Sequence, residues 1–181
     1  TLSLSGNNAK LYVETQASTA KGKGETRLVA RLLDAKGKAV AQKNLTTNTQ
    51  GAASAQFDVA NAKAWSPEQP HLYTLEINLY QGNKLVDRLR QRVGIRTIAV
   101  SKEHGFQLNG VSRKFKGVCL HHDLGPLGAA VNKAAIIRQI RLMKDMGVDA
   151  IRTSHNMPAP ELIEACDEMG MMVMAESFDE W

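Results

Sequence analysis

The 181-residue sequence is short of several things, and each shortage narrows what it can be. It holds two cysteines, Cys119 and Cys166, the first in an apolar strand-like run and the second in a helix-like run. One disulfide between them is compatible with the count. Two buried free thiols are the expected state, because an unpaired cysteine behaves as a small hydrophobe. Aromatic residues make up only 5% of the chain, and its net charge of +5 includes lysines scattered through turns at Lys21, Lys23, Lys36, Lys38, Lys43 and Lys84. A nucleic-acid surface would gather its charge in one stripe and interleave aromatics, so a solvated surface and no nucleic-acid partner are expected. The longest apolar runs, such as Met171 to Ala175, fall far short of the roughly 20 residues of a membrane-spanning helix. No charged-then-apolar leader opens the sequence. It starts at Thr1 without a methionine and stops at Trp181, so the expectation is a piece of a longer chain, with localisation left open.

What is present divides into two halves of different periodicity, with expected domains at 1–100 and 101–181. From Ala9 to about Val100, short strand-like runs are separated by turn residues. The runs are Leu11–Thr15, Thr26–Leu33, Val40–Gln42, Ala53–Val59, Tyr73–Tyr80 and Leu85–Val93, with breaks at Ala20–Gly24, Asp34–Lys38 and Gln81–Lys84. Six or seven strands at this spacing predict an immunoglobulin-like β-sandwich, without the cysteine pair of antibody domains. Beyond Val100, Phe106–Val111 reads as a strand and hairpin turn, and Lys114–Leu120 as a strand. Lys133–Met146 reads as a helix with Ile136, Ile137, Ile140, Leu142, Met143 and Met146 on its apolar side and Gly147 at its stop. Ala150–Thr153 is a strand, Pro160 opens a second helix that ends at Gly170, and Met171–Ala175 is a third strand. Helix-opening proline and helix-closing glycine are the expected asymmetry. The βαβαβ order predicts parallel strands, as in the first βα units of a (β/α)8 TIM barrel.

In such a barrel the site lies at the C-terminal ends of the strands. The unusual polar residues fall there: His121, His122 and Asp123 after the first strand, Arg152 to His155 at the second, and Glu176 to Trp181 after the third. Each residue has a plainer reading. Either histidine of the pair could brace a loop, Arg152 could be a structural partner of Glu176, and His155 could be an ordinary loop residue. A metal site is disfavoured, since adjacent histidines on an extended segment point to opposite faces.

At these residues the sequence resembles glycoside hydrolase family 2, in particular its β-galactosidase branch. The resemblance runs through Ala64–Tyr73, Val93–Ile98, Phe106–Gly110, Lys116–Asp123, Leu127–Gly128, Leu142–Gly147, Ile151–His155 and Cys166–Gly170. It implies a retaining β-glycosidase working through two glutamates, whose carboxyl groups stand roughly 5–5.5 Å apart. In that family both come from later barrel strands, so no catalytic residue is expected in this chain. The resemblance implies that His121, Arg152 and His155 contact the sugar and that Glu176 supports them. It implies a carbohydrate partner. No metal or other cofactor is carried over, since Ser177 to Trp181 do not match the family's magnesium ligands, and the family's N-terminal sugar-binding domain is not matched either.

Three parallel strands do not close a barrel, so the chain alone is expected to lack turnover and to self-associate through an open strand edge. β-Galactosides lead over β-glucuronides and β-mannosides, favoured by the loop Gly125–Gly128. The rivals are a non-catalytic interaction module with an immunoglobulin-like fold, and a metal-dependent barrel hydrolase.

Overall fold

In the computed structural model, residues 3–18, 26–48 and 50–179 are described, and the break expected at Ala20–Gly24 lies outside them. The chain forms two compact units, the first reaching to Ala64 and taking in His71–Ala99, the second containing Trp65–Pro70 and everything from Val100.

The first unit holds β1 (Ser3–Ser5), β2 (Asn8–Gln16), β3 (Thr26–Leu33), β4 (Ala39–Leu45), β5 (Ala52–Val59), β6 (Tyr73–Gln81) and β7 (Lys84–Val93). They form two antiparallel sheets in the orders β1-β2-β5 and β4-β3-β6-β7. Because side chains alternate across a strand, Leu11, Phe57 and Val59 from one sheet meet Leu28, Leu32 and Ile77 from the other in a single core. Two turns follow from local chemistry. The Asp34 carboxylate accepts the backbone N–H groups of Lys36 and Lys38, both at 2.9 Å, a geometry that short acidic side chains favour. Gly82, at φ +58°, supplies the left-handed residue in the two-residue link between β6 and β7.

The chain leaves this unit through β8 (Ile98–Ser101) and turns back through β9 (Gly105–Leu108) and β10 (Val111–Ser112), forming a sheet in the order β10-β9-β8. The β9–β10 link is Asn109-Gly110, with φ +54° and +77°. That is the residue pair a type I′ hairpin turn prefers.

Next come β11 (Gly117–Leu120), α1 (Lys133–Asp145), β12 (Ala150–Thr153), α2 (Pro160–Met169) and β13 (Met172–Ala175). The three strands form a parallel sheet in that order. The side chain of Asn132 accepts the Ala135 N–H at 3.0 Å and so satisfies one of the unpaired donors at the start of α1. Ile136, Ile140 and Met143 of α1, Ala165 and Cys166 of α2, and Ile151 of β12 make a second core.

Two expectations are corrected here. Leu142 and Met146 are exposed rather than part of the α1 apolar face. Leu142 stands two residues from the buried Ile140, which at 3.6 residues per turn is nearly the opposite side. Cys166 is buried, and burial followed by the Asp167 charge pushes its thiol up to about 12. Cys119, however, is exposed. Its β11 neighbours Val118 and Leu120 pack with the helices, so Cys119 faces the other side of the sheet, in register with Arg152 and Met174.

The segment Trp65–Pro70 is pinned within the second unit. Trp65 is 1% exposed, and its indole N–H donates to the Asp167 carbonyl at 2.8 Å. Asn109 donates to the Trp65 carbonyl at 3.0 Å. The Lys144 ammonium donates to the carbonyls of Pro67 at 3.0 Å and Gly170 at 2.9 Å. Gly170 has φ +75°, and a Cβ there would lie 2.3 Å from the Pro67 carbonyl oxygen. Gly170→Ala should therefore lose more than the ~1–2 kcal/mol of a left-handed non-glycine residue. Gly147→Ala, at φ +86° with nothing within 4 Å of its Cβ position, should lose the backbone contribution alone. Denaturant midpoints of the two variants check the difference.

Glu68 completes the attachment. Arg113 donates to Glu68 and to Asp149, each at 2.8 Å, and the Arg113 hydrogen bond is the main reason the Glu68 carboxyl falls to about 2 from its usual 4.5. A carboxyl depressed in the folded state contributes stability above its unfolded pKa and loses it as the pH falls through the folded one. The stability gap between the native protein and Glu68→Gln should therefore be full above about pH 4.5 and shrink toward pH 2. It should be small throughout, because solvent screens a half-exposed pair. Thermal melts of both proteins across that range check it.

Candidate functional site

The parallel register sets the position of the polar residues. Leu120, Thr153 and Ala175 are aligned across the three strands, so His121, Ser154-His155 and Glu176 all lie just past the C-terminal edge of the sheet. Arg152, one residue inside that edge, projects from the face opposite the helices. Two backbone contacts hold the rim together. Ser154 N–H donates to the Leu120 carbonyl at 2.9 Å, and Glu176 N–H donates to the Thr153 hydroxyl oxygen at 3.0 Å.

Glu176 is the hub. One carboxylate oxygen accepts the Arg152 Nε–H, and the other lies 2.8 Å from His155 Nδ1. The His155 hydrogen bond, then those from Arg152, hold the Glu176 carboxyl below the usual glutamate value, and the Glu176 contact raises Arg152. An ionised carboxylate only accepts hydrogen bonds. His155 Nδ1 must then carry a proton, which in the neutral imidazole leaves Nε2 as an acceptor. The His121 ring meets the His155 ring edge-on, with centroids 5.7 Å apart and planes at 84°.

Of the sequence-predicted residues, His121, Arg152, His155 and Glu176 come together. His122 does not join them. It adopts φ +57° and lines a small, mostly apolar cavity with Asp123, Ile136, Gln139 and Leu162. The adjacent histidines thus diverge. Among the described residues there is no group of three or more His, Cys, Asp or Glu side chains placed to hold a metal ion. Two contributors were missed in the sequence reading. Thr153 fixes the backbone of Glu176, and Cys119 shares the open sheet face with Arg152. Thr153 gave a faint signal by ending the strand directly before Ser154-His155. Cys119 gave none, since an apolar run does not say which face of a strand stays open.

Chemically, the group offers imidazole and guanidinium donors, an imidazole acceptor and a fixed negative charge, all on one rim. That set suits hydrogen bonding to hydroxyl groups. It does not suit proton donation by Glu176, whose two oxygens are both occupied and which is held ionised.

Comparison with known proteins places the chain in a family. The family model described as Glycosyl hydrolases family 2 matches residues 1–96, and that described as Glycosyl hydrolases family 2, TIM barrel domain, matches residues 98–180. Beta-galactosidase BoGH2A of Bacteroides ovatus is 45% identical over 158 residues, covering 83% of this chain and 18% of the relative. A putative beta-glucuronidase of Formosa agariphila is 42% identical over 154 residues, covering 83% of this chain and 14% of the relative. The chain thus spans less than a fifth of the length of either relative. Among solved structures, a glycosyl hydrolase family 2 member from Bacteroides cellulosilyticus superimposes with a TM-score of 0.88 at 39% identity, over 97% of this chain and 25% of that one. Bifidobacterium dentium beta-glucuronidase complexed with coumarin-3-O-glucuronide gives 0.85 at 28% identity, over 94% of this chain and 27% of that one. With its sandwich and the opening βα units of a TIM barrel both matched, the chain belongs to glycosyl hydrolases family 2.

Proposed function

We propose that this chain is part of a retaining β-glycosidase, in which residues 1–100 form the sandwich domain and residues 101–181 begin the catalytic barrel. His121, Arg152 and His155 form one wall of the sugar site, and Glu176 positions the last two. The observation that carries this reading is the double engagement of Glu176, which fixes the Arg152 fork and the His155 tautomer on the rim where barrel enzymes bind substrate. A retaining mechanism needs one carboxylic acid to protonate the leaving oxygen and a second carboxylate to attack the anomeric carbon. Glu176 is suited to neither task, so both carboxyls belong to other barrel strands. The isolated chain should be inactive, and the unpaired side of β13 supports self-association of the isolated piece.

β-Galactosides are the favoured substrates. A glucuronide would bring a carboxylate that needs its own cation, whereas the Arg152 charge is already balanced by Glu176. The β-glucuronidases among the relatives keep glucuronides as the second reading. A panel of aryl β-galactosides, β-glucuronides and β-mannosides, offered to the longer enzyme and to the isolated chain, tests both points. Saturable turnover by the isolated chain would contradict the proposal, and so would a longer enzyme that cleaves none of the panel.

A further inference from the structure

The first unit carries a second concentration of chemistry that the sugar site does not use. On the outward face of the sheet β4-β3-β6-β7, strand register brings Arg31, Glu76 and Arg90 into one row, with Asn78 and Arg88 in the next. Glu76 and Asn78 are both 2% exposed, although both belong to residue types that are mostly found at the surface. Asn78 donates to one Glu76 oxygen at 2.9 Å, and Arg31 lies 3.3 Å from the same atom. Arg90 reaches the other oxygen at 2.7 Å. Arg88 lies 3.7 Å from that oxygen and donates to the Asn78 carbonyl oxygen at 2.9 Å. One buried carboxylate therefore holds three guanidinium groups that remain 37%, 42% and 58% exposed. Burial raises the Glu76 pKa, but the hydrogen bonds from Asn78 and Arg90 and the charges of Arg88 and Arg90 outweigh it, and the carboxyl is held below its usual value.

The charge on this face is one-sided. Alternation also places Arg27 and Arg92 on it, so among the described residues five arginines share the face with one glutamate, on a chain whose net charge is +5. Along β7, Arg88, Arg90 and Arg92 recur roughly every 7 Å. At its start the same strand leaves Leu85 and Val86 exposed, Leu85 opposite Tyr80 on this face, and within its sheet β7 is an edge.

We propose that this arginine face and the β7 edge form a docking surface for a protein partner that presents carboxylates beside an apolar side chain. Guanidinium groups match carboxylates in geometry, and arginine together with apolar residues is the composition that protein interfaces favour. A glycan or a single-stranded nucleic acid would favour a free aromatic face on which to stack. Tyr80, the aromatic side chain on this face, is already covered by Arg27 at 4.6 Å. A second copy of the same face is excluded by like charge.

The test uses the whole chain and a short synthetic peptide alternating Glu and Leu, titrated at low salt beside an oligogalacturonate and a single-stranded oligonucleotide. The peptide should bind tightest. Glu76→Gln should weaken it about tenfold although the net charge rises by one, because the guanidinium groups lose their anchor. Leu85→Ser should weaken it about fivefold by removing an apolar contact. If Glu76→Gln fails to fold, the double variant Arg88→Lys with Arg90→Lys keeps the charge, removes the forks, and should show the same tenfold loss. No peptide binding, or equal or tighter binding by the anchor-less or fork-less variant, would overturn the proposal as mere charge attraction. Equal or tighter binding of the oligogalacturonate or the oligonucleotide would overturn the protein partner.

Discussion

Glu176→Gln in the longer enzyme should lower kcat/KM for an aryl β-galactoside by about 100-fold, the scale of loss that follows a small misplacement of a binding group. The reason lies in the two donors that meet this carboxylate, Arg152 Nε and His155 Nδ1. A glutamine offers one carbonyl oxygen and one NH2 group, so it can accept from only one of them. The NH2 must then face a donor, and either the guanidinium swings away or the imidazole gives up its Nδ1 proton. In the second case His155 presents Nε2 to the sugar as a donor instead of an acceptor. Where a histidine moves the proton itself, losing the carboxylate that fixes its tautomer is worth about 10⁴ in kcat. Here the histidine is assigned to hydroxyl binding, and the smaller figure follows. Glu176→Asp keeps the charge and should recover part of the loss, while a merely structural role would show equal losses for both variants in stability and little in KM. Michaelis–Menten kinetics of the three proteins, paired with melting curves, distinguish the cases.

Trp65→Ala should destabilise the second unit by about 3–5 kcal/mol, the usual range for deleting a buried tryptophan. Trp65 is 1% exposed and ties its segment to α2 through the Asp167 carbonyl. Trp65→Phe keeps most of the packing, removes that hydrogen bond, and should lose closer to ~1 kcal/mol. The effect belongs to the second unit. Among the described residues both α-helices are in it, so loss of the far-UV helix signal with denaturant reads the change directly. Equal stability of the native protein and Trp65→Ala would remove Trp65 from the structural account.

Much of this architecture was legible in the sequence because it rests on local chemistry. Pro160 and Gly170 bracket α2 through fixed backbone preferences, Asn109-Gly110 closes a hairpin, and the run Thr26–Leu33, ended by the turn residues Asp34–Lys38, gives β3 to the residue. The strand-end position of His121, Arg152, His155 and Glu176 follows from the same pattern, once the strands are taken as parallel. Features that depend on long-range contact were not legible. The Trp65–Pro70 segment is attached to residues such as Lys144, Asp167 and Gly170, far along the chain, and nothing nearby in sequence announces it. The exposure of Cys119 depends on which face of the sheet the helices cover. The Glu76 cluster appears as scattered single charges until strand register aligns Arg31, Glu76 and Arg90.

The most direct test of the central claim is a crystal structure of the longer enzyme with galactose or a galactose-derived inhibitor bound. Sugar hydroxyls should lie within about 3 Å of His155 Nε2 and of a His121 ring nitrogen, the normal hydrogen-bond range, with Glu176 still bridging Arg152 and His155. A sugar bound in the barrel without contacting either histidine would contradict the account.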